Sequence, residues 1–90
     1  DEVQNASPDT IYGLSLAKMK LDSLPEDLAR FTQLKTLSLK KNRLTKLPDF
    51  IADFKDLETI VLEKNDLVYF PVVFCRMPQL KRILIALFEL

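Results

Sequence analysis

Residues 34–56 read LKTLSLKKNRLTKLPDFIADFKD, and the fold follows from finding the same pattern on either side of them. A step of 23 residues carries Leu37 onto Leu14 and Ile60, and a further step reaches Ile83. Leu39 maps in the same way onto Leu16, Leu62 and Ile85, and Leu34 onto Ile11, Leu57 and Leu80. Leu44 has counterparts at Leu21, Leu67 and Leu90. Pro48 recurs as Pro25 and Pro71, each preceded by an apolar residue (Leu47, Leu24, Phe70). Self-similarity at a fixed period of this length marks a stacked solenoid, in which each unit completes its core against its neighbours.

Within one unit the pattern is L-x-x-L-x-L-x-x-N-x-L, followed by x-x-L-P-x-x-L-x-x-F-x-x. Alternation at Leu37 and Leu39 has the period of a strand with one buried face. After Pro48, Ile51 and Phe54 lie three apart, the spacing of a short helical or 3₁₀ turn. The expected class is therefore α/β: a solenoid of about three and a half repeats, with a short curved parallel sheet inside and helical or 3₁₀ return segments outside. Repeats are expected at 11–33, 34–56 and 57–79, with a partial unit at 80–90. Residues 1–10 are polar and lack the repeat, and Ser7-Pro8-Asp9 suits a turn covering the first strand, so they are expected to form an amino-terminal cap or a leader remnant.

Asn42 and Asn65 fall in the bend, where an asparagine can satisfy inward-turning backbone groups that have no ladder partner. The equivalent positions in the first and last copies hold Met19 and Phe88, expected to act as apolar plugs in atypical terminal units. Pro25, Pro48 and Pro71 are expected to start the return segments.

On these residues the chain resembles the leucine-rich repeat family, in its 23-residue form with Leu-Pro in the return segment. The resemblance runs from Ile11 to Leu90. Proteins of this kind include Ras-group adaptors of animals and plants and secreted or effector proteins of bacteria. The resemblance implies a binding module that engages another protein through its inner strand face. The regular Leu-Pro repeat and the lack of recognisable cysteine-rich caps favour a bacterial source.

Composition narrows the functional classes. Thirteen basic and thirteen acidic side chains leave no net charge, so no general electrostatic grip on nucleic acid or anionic membrane is expected. There is no histidine, which removes Ser-His and Cys-His catalysis and the commonest metal ligand. The only glycine is Gly13, too few for a phosphate-cradling loop. Asp49, Asp53 and Asp56 could suggest calcium, but no glycine-bearing loop accompanies them. An enzyme is not expected, nor are cofactor or metal sites. The lone Cys75 cannot form an internal disulfide and reads as a small apolar filler beside Phe74. That favours a reducing compartment or a bacterial protein, secreted or surface-borne, that needs no disulfides. No apolar stretch is long enough to span a bilayer. The chain begins at Asp1 and stops at Leu90 midway through a unit, which fits a removed leader or a piece of a longer protein.

Register turns the pattern into rows of neighbouring side chains. The inner face is expected to present Gly13, Thr36, Thr59 and Arg82, then Ser15, Ser38, Val61 and Leu84. Beyond them come Ala17, Lys40, Glu63 and Ala86, then Lys18, Lys41, Lys64 and Leu87. The candidate partner-binding residues are Lys18, Ser38, Lys40, Lys41, Val61, Glu63, Lys64, Arg82 and Leu84. The basic column suits an acidic protein segment, and equally serves as a solvated face. A second reading assigns function to the apolar last copy. There Leu84, Leu87, Phe88 and Leu90 would support self-association as a homodimer. Tyr12, Phe50 and Tyr69 are further aromatic anchor candidates.

Overall fold

The computed structural model describes residues 10–87. Four strands, β1 (Gly13–Ser15), β2 (Thr36–Ser38), β3 (Thr59–Val61) and β4 (Arg82–Leu84), alternate with three 3₁₀ turns at Glu26–Arg30, Asp49–Asp53 and Val72–Arg76. The sheet is wholly parallel, in sequence order, and its register is the 23-residue step. Leu14 pairs with Leu37, Leu37 with Ile60, and Ile60 with Ile83. Each three-residue strand turns its middle side chain inward. Pairing continues past the strand ends, with Leu16 N–H donating to Ser38 O, Leu39 to Val61 O, and Leu62 to Leu84 O.

The return segments are all 3₁₀, and the proline sets this up. Pro25, Pro48 and Pro71 hold extended backbone at the N-cap, and their carbonyls accept from Leu28, Ile51 and Phe74 three residues on. A second such bond follows from Phe31 to Leu28 O, Phe54 to Ile51 O and Met77 to Phe74 O. Three residues per turn brings every third side chain to one face. Leu28, Phe31 and Leu34 accordingly line the core together, as do Ile51, Phe54 and Leu57. Five-residue turns are too short to be stable alone and depend on that packing.

The core is one cluster running the length of the stack. Leu37, Leu39, Leu44, Ile60, Leu62 and Leu67 are fully buried, whereas the flanking Leu16, Leu21, Ile83 and Ile85 are only partly covered. Asn42 makes four bonds in the bend. Its Nδ2 donates to Leu16 O and Leu39 O, both at 2.9 Å, and its Oδ1 accepts from Met19 and Leu21 N–H, both at 3.0 Å. Asn65 repeats the device one unit on, donating to Leu39 O and Leu62 O and accepting from Leu44 N–H at 3.1 Å. Among the described residues no buried side-chain nitrogen or oxygen lacks a partner.

Two sequence expectations fail. Met19 is 56% exposed and plugs nothing, because Asn42 of the next unit already reaches back to satisfy the first bend. Cys75 is exposed rather than a core filler. Its equivalent Ala52 is buried because another return turn stacks over it, and among the described residues no turn stacks over Cys75. The expected cap at 1–10 lies outside the described residues except for Thr10, and Phe88 and Leu90 lie outside them entirely.

Candidate functional site

The sheet has one face against the core and one toward solvent. On the solvent side the expected rows are present in register: Gly13, Thr36, Thr59 and Arg82, then Ser15, Ser38, Val61 and Leu84. Ser38 and Val61 are half-buried by neighbouring strands, while Arg82 and Leu84 are exposed on β4. Parallel strands sit about 4.8 Å apart, so these side chains form a short continuous surface held by the ladder.

Immediately past the strands the chain bends, and here the backbone adds something the periodicity does not show. Lys18, Lys41 and Lys64 all have left-handed backbone, with φ of 61°, 60° and 60°, and Lys20 has φ of 56°. For a residue with a Cβ this region is strained by about 1–2 kcal/mol. The strain is held by the bend's hydrogen bonds: Lys18 N–H donates to Lys40 O, and Lys41 N–H to Glu63 O. The three lysines are exposed and adjacent. Lys18, and next Lys64, hold the Lys41 ammonium below the ordinary lysine range, with smaller effects from desolvation and Lys40. Lys40 lies 4.0 Å from Glu63 in a half-exposed pair.

Other singled-out residues lie elsewhere. Phe50 packs edge-on against Phe54 at 6.3 Å and shields the core, which removes it as a free anchor. Tyr12 and Tyr69 are 53% and 83% exposed. Asp49 pairs with Arg76 at 3.3 Å on the outer turns. Among the described residues no three metal-capable side chains come together. No helix among them is long and apolar enough to cross a membrane.

Val72 is 81% exposed on the outer rim, where Tyr69 is exposed too. Its counterparts Glu26 and Asp49 are exposed polar residues, so a valine there is not filling a core position. Val72 and Tyr69 line an open groove of about 230 Å³ together with Lys46 and Asp49.

One short parallel strand and one 3₁₀ turn per unit, with asparagines bonding neighbouring bends, define a repeat solenoid of the leucine-rich type. The Leucine rich repeat family model matches residues 32–86, more than half of the chain, and the chain belongs to that family. Its members commonly serve as protein-interaction modules and are typically not enzymes. Among solved structures the chain is similar to a leucine-rich repeat protein of Leptospira interrogans, at 20% identity and a TM-score of 0.46. That similarity covers 96% of this chain and 34% of the other, so the chain spans about a third of that protein's length. No curated protein matches the chain.

Proposed function

We propose that this domain is a non-catalytic module that binds a protein partner on its concave strand face. The observation that supports the reading is the outward side of the sheet. Its side chains stand in fixed rows on a rigid ladder, mixing hydroxyls, charges and apolar groups over adjoining strands. Rows of this kind suit protein recognition, where a buried apolar centre is surrounded by polar contacts. Val61, Leu84, Ser38 and Arg82 would form the contact, with Lys18, Lys40, Lys41, Glu63 and Lys64 along one border. The repeats at 11–33, 34–56 and 57–79 supply it together with the partial unit at 80–90. Twelve-residue peptides selected on the domain from a random display library test the reading. Binding should be lost on Val61→Arg and Ser38→Arg and kept on Asp53→Arg, an exposed position of the outer turns. Peptides indifferent to both inner-face substitutions would refute it.

A second reading rests on a separate observation. Leu84 and Leu87 are 46% and 42% exposed on the β4 side, and Phe70 is 48% exposed. An apolar sheet edge of this kind suits edge-to-edge pairing of two copies. Light scattering across a wide concentration range decides it: a mass doubling that Leu84→Asp abolishes supports a homodimer, and a constant monomer mass removes it.

A further inference from the structure

Along the solvent face the chemistry changes in one direction. The bend row runs Lys18, Lys41, Lys64 and then Leu87, and the strand row one row removed from it, across Ala17, Lys40, Glu63 and Ala86, runs Ser15, Ser38, Val61 and Leu84. In these two rows cations stand in the first three units and apolar side chains in the third and fourth, on a single face, while Arg82 adds one exposed cation near Leu84 on β4.

Folding does not account for the cationic end. Each of its three lysines stands in left-handed backbone, where glycine or asparagine would be accommodated with less strain. Among the described residues no carboxylate lies within ion-pair distance of Lys18, Lys41 or Lys64, since Glu63 faces Lys40. The three ammonium groups repel one another, and Lys41 is depressed for that reason. The apolar end is not explained as core either. Leu87 stands in the row whose other members are exposed lysines, and Leu84 in the row of Ser15 and Ser38. Neither position is buried in the internal repeats. Both ends thus carry side chains that the stack itself does not use.

We propose, building on the concave-face reading, that the partner contributes an extended segment lying across the strands. Its acidic half sits over Lys18, Lys41 and Lys64, and its apolar half over Val61, Leu84 and Leu87. Three adjacent lysines against the single Arg82 at the other end set the direction. The distance from the first to the fourth bend position is on the order of 14 Å, about four residues of extended chain. A nucleic acid fits less well. Its phosphates would leave Leu84 and Leu87 uncovered, Glu63 stands within the face, and the chain carries no net positive charge.

Peptides from the same twelve-residue library provide the test, because their composition is read separately from their footprint. The selected sequences should carry Asp or Glu in one half and Leu, Val, Ile or Phe in the other. In low salt a synthetic copy should lose roughly tenfold in affinity on Lys41→Glu, and that loss should shrink in high salt, where exposed charges are screened. Leu84→Asp should cost roughly tenfold at both salt levels, since apolar contact is not screened. Lys41→Gln serves as the milder substitution, and thermal unfolding of each variant confirms that it folds. Selected peptides that are neutral or basic, or a library yielding none, would overturn the proposal. A thymidine oligonucleotide that displaces the peptide at equal charge would do the same. Neutral peptides that still fail on Val61→Arg would sink this inference alone; peptides indifferent to Val61→Arg would sink the concave-face reading with it.

Discussion

The second and third repeats and the flanking units have nearly the same sequence pattern and quite different surroundings. Leu39 and Leu62 are fully buried, while Leu16 and Ile85, at the same position of the unit, are only partly covered. Asn42 and Asn65 bridge bends inside the stack, whereas their counterpart Met19 lies in solvent. Ala52 is buried and Cys75 is exposed. The lesson is that in a solenoid a side chain's environment is set by the unit next to it more than by its own place in the repeat.

Substitutions can break that contrast. The largest expected effect is from Leu39→Ala or Leu62→Ala, which should cost about 2–5 kcal/mol because the cavity is enclosed on both sides. Ile85→Ala and Leu16→Ala should cost no more than about 1–2 kcal/mol, since only part of each side chain leaves water on folding. Urea unfolding of the four variants checks this, and equal losses would remove the distinction between inner and outer units.

Next come the asparagines. Asn42→Ala leaves the Met19 and Leu21 amides and the Leu16 and Leu39 carbonyls without that partner, and should cost about 1–3 kcal/mol. Because two of the freed groups are amides of the first unit, hydrogen exchange at Met19 and Leu21 should accelerate before that of the third repeat. Asn65→Ala should instead release the Leu44 amide.

The lysine bend sharpens the comparison on the surface. Lys41 is charged less readily in the folded chain than in the unfolded one, because Lys18 and Lys64 flank it. The sign follows: its charged form disfavours folding, so this contribution to stability improves as pH rises through the lysine range. Lys18→Gln should raise the Lys41 pKa, and by more than Lys40→Gln does, as read from its side-chain NMR titration. The smallest effect is expected for Arg76→Ala. Its pair with Asp49 is exposed on both sides, so the loss should stay within about 0–1 kcal/mol in thermal unfolding.

The stack was legible in the sequence because its cause is periodic. Leu37, Ile60 and Ile83 had to share a register, and the spacing of Ile51 and Phe54 anticipated a three-residue turn. The rows of the candidate face followed from the same arithmetic. What did not follow depended on neighbours or on backbone dihedrals. Met19 was misread because the partner that satisfies its bend is 23 residues away. Cys75 was misread because its burial depends on a turn above it. The left-handed lysines gave no signal, since that backbone normally announces itself through glycine or asparagine.

Residue-resolved amide hydrogen exchange under native conditions tests the dependence on neighbours most directly. The account predicts the slowest exchange at Leu39 and Leu62, whose amides bond to the next unit above a fully buried side chain, and faster exchange at Leu16, where coverage is partial. Uniform protection from Leu16 to Leu62 would contradict it.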